Sequence, residues 1–184
     1  MSSATVARIL KVNHAGEHGA VRIYGAQIAV ARRRWPSLAP ELQALLAHER
    51  EHVVTFLALM PERGTRPCGA MFLWGVGGTA LGLATALLGR TAVLVCTEAV
   101  ERTVHRHLDE QLEWLGGRDP ELSAAIAAIQ TQEEGHLAWA AERRPPPTAA
   151  TRALERAVEA VVEALIWLST QGESGRLRAE VGSD

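Results

Sequence analysis

One four-residue pattern occurs twice in this chain, as Glu49-Arg50-Glu51-His52 and as Glu133-Glu134-Gly135-His136. In each copy Glu and His stand at positions i and i+3, so on a helix they share one face with Cβ atoms about 5–6 Å apart. A carboxylate and an imidazole can then reach one cation. Two such faces meeting in a helical bundle supply most of a carboxylate-bridged two-metal ligand set, which also needs one Glu from each of two other helices. Glu17 precedes Glu49 by the same interval at which Glu101 precedes Glu133. The equal spacing predicts two copies of a helix pair. It also nominates Glu17, Glu49, His52, Glu101, Glu133 and His136 as metal ligands.

Apolar periodicity supports this placement. A first helix is expected over 8–34, with Ile9, Val12, Ala20, Ile23 and Val30 inward and Glu17 at the edge of that stripe. A second, over about 40–61, buries Leu42, Leu45, Leu46, Val53, Phe56 and Met60. Glu49 and His52 fall within its apolar stripe, where an ionised carboxylate is costly unless paired or metal-bound; Glu51 points away. A third helix over 90–115 carries Glu101 on its stripe. Asp119-Pro120 opens a fourth over 120–143 as cap and first-turn proline, and Glu133 and His136 again lie inward. Pro145-Pro146-Pro147 breaks the chain before a fifth amphipathic helix over 149–171. The first loop must climb further along the bundle than the second, because Pro40 stands closer to Glu49 than Pro120 does to Glu133.

Residues 68–89 contain no charged side chain, a run long enough to be a transmembrane candidate. A single crossing would leave Glu17, Glu49 and His52 on one side of a bilayer and Glu101, Glu133 and His136 on the other. A two-hairpin bundle of the ferritin-like kind instead needs one long crossover between helices two and three, and this segment has the right length. The expected fold is therefore all-α: a ferritin-like four-helix bundle with a long apolar crossover helix and an additional C-terminal helix. Residues 1–171 form one domain in this reading, and 172–184 a frayed polar tail. The crossover's apolar surface rests in a membrane interface or covers an apolar pocket; an ordinary buried core helix is the plain alternative.

Other chemistries fit less well. His48-Glu49-Arg50-Glu51-His52 matches the zinc-protease pattern H-E-x-x-H, but the position equivalent to His48 in the second copy is Gln132, so what repeats is E-x-x-H. Cys68 and Cys96 are too few for a disulfide framework or a zinc knuckle and read as reduced thiols. A net charge of −2 gives no basic surface for nucleic acid. His14, His18 and His105 read as solvated or hydrogen-bonded surface residues, and His107 as a neighbour of the site.

These residues resemble one family, the demethoxyubiquinone hydroxylases, which are ferritin-like di-iron monooxygenases of ubiquinone biosynthesis. The resemblance spans about 8–171. It is most specific at Asn13-His14-Ala15-Gly16-Glu17-His18-Gly19-Ala20 with Arg22-Ile23-Tyr24, and continues at Glu49-x-x-His52, Ala86-Leu87-Leu88-Gly89, Ala99-Val100-Glu101 and Glu133-x-x-His136. It implies a centre of two iron ions on the six residues named, with Glu49 and Glu133 bridging. It further implies that His107 helps electrons reach the site, although Leu108 follows it where some members have Tyr. Four carboxylates would balance two ferrous ions, which makes burial of the reduced site tolerable. Without metal, the four should raise one another's pKa.

The implied reaction hydroxylates the ring of a polyprenylated demethoxyubiquinol (2-polyprenyl-3-methyl-6-methoxy-1,4-benzoquinol), with O2 as co-substrate and an electron donor to be identified. The implied partners are a membrane-borne quinone, a membrane surface met through 68–97, and other ubiquinone-biosynthesis proteins. A homo-oligomer is compatible with the reading, and nucleic acid is not a partner. The implied location is peripheral, on the cytoplasmic side of the cell membrane if the source is bacterial. Two alternatives share the ligands: a ferritin-like ferroxidase that handles iron, and a non-catalytic scaffold for quinone enzymes.

Overall fold

The computed structural model describes residues 2–170, so the expected tail at 172–184 lies outside the described residues. Within them the α-helices follow one another as α1 Ser2–Arg34, α2 Ala39–Leu59, α3 Met71–Leu88, α4 Arg90–Leu115, α5 Pro120–Arg143 and α6 Ala149–Thr170, with a 3-10 turn at Pro61–Arg63. The helix expected from residue 8 begins at residue 2. The added turns have a packing reason, because Val6, Ile9 and Leu10 join Phe56, Met60, Leu108, Leu115 and Leu122 in an apolar cluster at one end of the bundle. The crossover expected from 68 begins at Met71.

Pairwise contacts fix the directions. Glu41, in the first turn of α2, receives the indole N–H of Trp139 at 2.8 Å and Nε of Arg143 at 2.9 Å, both from the last turns of α5. At the other end Arg63, just past α2, meets Asp119 at the start of α5 with two hydrogen bonds of 2.7 Å. The two helices are therefore antiparallel. Asn13 with Gln111, and Tyr24 with Glu101, set α1 antiparallel to α4. The α3 helix runs parallel to α1, as Gln27 meets Thr85 and Arg34 meets the Leu87 carbonyl. It returns the chain to the end at which α2 begins, so α2 and α4 run the same way, as the ferritin-like bundle requires. Gly89, at φ 125°, makes the abrupt join between α3 and α4 that a side chain would strain.

The loops differ as expected. Beyond its glutamate α1 continues from Glu17 to Arg34, a longer stretch than α4 has from Glu101 to its end at Leu115. In return α2 begins at Ala39, closer to Glu49 than the α5 start at Pro120 is to Glu133. At 1.5 Å per helical residue, residues 35–38 must recover about 10 Å that the second loop need not.

Between the two end clusters lies the level of the glutamates. One cluster is built on Tyr24, Ile28, Leu38, Leu42 and Leu45. The other is the Leu10, Phe56 and Leu122 cluster described above. A third joins Val12, Ile23, Trp74, Val100, Val158, Val162 and Ile166, so α3 and α6 cover the outer side of α1 and α4. Their own outer faces stay bare: Phe72, Val76, Leu87, Leu88, Trp167 and Leu168 are exposed, Phe72 by 74%. Among the described residues, α3 is the one helix long and apolar enough to cross a membrane by length and composition.

Candidate metal centre

All six nominated residues are buried, and all six meet. Helix α1 presents Glu17, α2 presents Glu49 and His52, α4 presents Glu101, and α5 presents Glu133 and His136. Two overlapping groups have ligand atoms within 4.8 Å of one another: Glu17, Glu49, His52 and Glu133, and Glu49, Glu101, Glu133 and His136. Glu49 and Glu133 belong to both, which is the placement bridging carboxylates need. Nδ1 of His52 lies 3.0 Å from Glu133 and 3.4 Å from Glu17. Nδ1 of His136 lies 2.9 Å from Glu133 and 3.2 Å from Glu49. Yet both Nδ1 atoms, Glu49 Oε1 and Glu133 Oε2 are buried without an aligned hydrogen-bond partner. Atoms that crowd together without bonding to one another share a common target, and imidazole nitrogen with carboxylate oxygen is a donor set for a first-row transition metal. The residues present fit two such ions.

The electrostatics of the protein without metal follow from burial. Burial pushes Glu17 and Glu49 up, with neighbouring carboxylates adding to it. Glu101 is pushed up to about 8 by burial and then by the charge of Glu133, against the pull of His136. Glu133 departs from the expectation that all four rise. Burial raises it, but the close approach of the His136 and His52 imidazoles outweighs that and holds it well below the usual carboxylate range. Burial opposes a charged His136, and contacts with Glu101, Glu133 and Glu49 overcome it, pushing the imidazole up to about 12. Without metal, burial and neighbouring charge thus favour the proton-bearing forms of both histidines and of Glu17, Glu49 and Glu101.

Three polar residues hold three of the six from outside. The Tyr24 hydroxyl donates to Glu101 Oε1 at 2.6 Å. Gln132 Oε1 accepts from Nε2 of His52 at 2.6 Å, and Nδ1 of His48 lies 2.9 Å from Nε2 of His136. The imidazole of His48 is therefore engaged with His136 and does not converge with His52 as a zinc-protease pair would. Tyr24 was findable, since it stands two helical turns beyond Glu17 on the same face. The roles of His48 and Gln132 were not, because their partners lie on the opposite helix.

The other histidines separate. His14 is buried, not on the surface as expected, with Nδ1 unpartnered, and burial lowers its pKa. His18 is half-buried beside Gly75. His105 is half-buried between Asp109 and Glu134, both at 3.2 Å. His107 is buried, with Glu163 at 3.2 Å and Glu110 at 3.5 Å. Cys68 and Cys96 are free thiols, and burial pushes Cys96 up to about 12.

A cavity of about 80 Å³ adjoins the centre. Glu17, Glu49, Glu101 and Glu133 line its inner side, His107 and the Asn13–Gln111 pair one end, and Trp74, Leu81, Val161 and Leu165 its apolar wall. Val161 is among the exposed apolar residues, so the cavity reaches the bare side of α3 and α6.

Fold and cluster together define a class: a ferritin-like helical protein with a buried carboxylate–histidine centre fit for metal. Residues 4–169 match the family described as COQ7, Ubiquinone biosynthesis protein COQ7, and the chain belongs to that family. It is 39% identical over 169 residues to the 3-demethoxyubiquinol 3-hydroxylase of Rhodospirillum rubrum, covering 91% of this chain and 78% of that protein. It is 37% identical over 173 residues to the NADPH-dependent 3-demethoxyubiquinone 3-hydroxylase, mitochondrial, of Mus musculus, covering 92% and 79%. To the 5-demethoxyubiquinone hydroxylase, mitochondrial, of Saccharomyces cerevisiae it is 38% identical over 116 residues, covering 63% and 50%.

Proposed function

We propose that this chain is a monooxygenase that hydroxylates the ring of a polyprenylated demethoxyubiquinol, on a centre of two iron ions. Glu17, Glu49, His52 and Glu133 would hold one ion, and Glu49, Glu101, Glu133 and His136 the other. The observation that carries this reading is a cavity with carboxylates on one side, polar residues at one end and an apolar wall opposite, in a chain whose relatives are named as hydroxylases of this quinone. Bound iron would supply activation of O2, with one oxygen atom entering the ring, the other leaving as water, and a reductant supplying two electrons and two protons.

The chain's own residues bind and orient the substrate. Apolar groups of α3 and α6 part to accept the ring and the start of its isoprenoid tail, which about 80 Å³ does not hold, and keep water from the reacting carbon. Tyr24 fixes one oxygen of Glu101 and so limits how that carboxylate can swing. The bare faces of α3 and α6 support a reading in which the cavity opens toward a membrane surface, from which a lipid quinone can enter without crossing water. In a bacterium that surface would be the cytoplasmic face of the cell membrane; the mouse and yeast relatives carry the word mitochondrial in their names. His107, between the cavity and Glu163, is the candidate for passing electrons inward. NADPH, named for the mouse relative, is the first donor to try.

Purified protein given iron, a reductant, O2 and demethoxyubiquinone should yield the hydroxylated quinol. A protein with two bound irons that forms no such product would overturn the substrate assignment.

A further inference from the structure

The residue before each E-x-x-H glutamate is polar and lies outside the six: His48 precedes Glu49, and Gln132 precedes Glu133. The two occupy equivalent places in the repeat, and each reaches across to the histidine of the other half. Gln132, on α5, accepts from Nε2 of His52 on α2. His48, on α2, meets Nε2 of His136 on α5. The two imidazoles are within 3° of parallel with centroids 5.2 Å apart, too far for a face-to-face stack and right for a bond in the ring plane.

An imidazole presents a lone pair at one nitrogen only when its proton sits on the other, and the partner of that other nitrogen decides which. Here Nε2 of both histidines is committed outward. Each Nδ1 is then left to face the carboxylates, where both are buried and without an aligned partner. We propose that His48 and Gln132 are a crossed pair of positioning residues. Each sets the tautomer and ring plane of one metal-binding histidine, so each governs a different metal position. This rests on the two-metal reading above. The pair also makes the positions unlike, since an imidazole supports His136 and an amide supports His52. Because His48 is only half-buried and Gln132 exposed, changing either need not disturb the core.

The test is titration of metal-free protein with ⁵⁷Fe(II), read by binding stoichiometry and by Mössbauer spectroscopy, which separates unlike iron positions. Wild type should bind two ions in two distinguishable environments. His48→Leu should weaken one position about 10- to 100-fold, and Gln132→Leu the other by a similar factor. His48→Gln, which places at 48 the acceptor found at 132, should bind both ions well and make the two environments more alike. The proposal is overturned if both leucine variants bind like wild type, if both weaken the same position, or if His48→Gln binds as poorly as His48→Leu. Should His48→Leu not fold, Gln132→Leu decides: loss confined to one position supports the pairing, and wild-type binding refutes it. Wild type that binds no iron would refute the two-metal reading itself, and the crossed pair with it.

Discussion

Glu101 accepts a hydrogen bond from the Tyr24 hydroxyl, and that bond is buried. A hydrogen bond to a charged group contributes about 1.5–3 kcal/mol. Tyr24→Phe should therefore weaken Fe(II) binding by about tenfold or more while leaving the helical content of the protein unchanged. Equilibrium titration of the variant checks this, and unchanged affinity would show that Glu101 needs no tether. At this scale the sequence was informative about faces and silent about partners. Helical spacing put Glu17, Glu49, His52, Glu101, Glu133 and His136 on inward stripes. It could not show that two imidazoles lean on Glu133 and drive its pKa down while its three neighbours rise. Nor could it assign His48, whose H-E-x-x-H pattern is local while its true partner, His136, lies on another helix.

At the scale of the helix, glycine has two meanings in α3. A Cβ on Gly78 would meet the Gly19 carbonyl oxygen at 2.4 Å, and one on Gly82 the Ile23 carbonyl oxygen at 2.4 Å. These are backbone contacts that cannot give way, and they explain how α3 lies so close to α1. A Cβ on Gly77 would meet only the flexible end of Leu165, at 3.5 Å. Gly78→Ala should cost about 1–3 kcal/mol through overpacking. Gly77→Ala should be neutral or stabilise by up to about 1 kcal/mol through helix propensity. Thermal unfolding of the two variants separates them. From composition alone the glycines of this segment argue only against a straight membrane-spanning helix; the close approach to α1 that two of them permit was invisible without the partner's position.

The start of α5 carries a pH-dependent lock. Asp119 caps the helix by accepting the Leu122 N–H at 3.0 Å and binds Arg63, and both partners are mostly buried from solvent. Arg63 chiefly, and the cap, hold its carboxyl below the ordinary value of 3.8. A carboxyl whose pKa falls on folding binds fewer protons folded than unfolded, so its stabilisation is full above about pH 5 and fades as pH drops through the folded value. Asp119→Asn should lower stability at neutral pH by about 1–2 kcal/mol and make the acid limb of the stability curve shallower. Denaturant titrations across that pH range check both parts. Asp119-Pro120 announced this cap in the sequence, whereas Arg63 stood in what reads as a loop.

For the molecule as a whole, metal binding should couple to folding. Burying four carboxylates and two imidazoles without cations forces protons onto groups that would otherwise ionise freely, and two ferrous ions would replace that arrangement with a neutral one. A ligand bound only by the folded state stabilises by about 2.7 kcal/mol at a hundredfold excess over its Kd. Added Fe(II) should therefore raise the melting temperature of metal-free protein by several degrees, and an equal value with and without iron would count against the site. The topology behind this coupling was largely legible, because the same interval separating Glu17 from Glu49 and Glu101 from Glu133 admits few arrangements other than two facing hairpins. The cavity was not, since it forms where α1, α3, α4 and α6 meet and no single stretch of sequence outlines it.

A role in quinol hydroxylation for Glu133, shared by both halves of the centre, is tested most directly by the quinone profile of cells whose only copy of this protein carries Glu133→Ala. Accumulated demethoxyubiquinone and loss of ubiquinone are expected, with the variant present at normal level. Normal ubiquinone in cells holding the folded variant would contradict it.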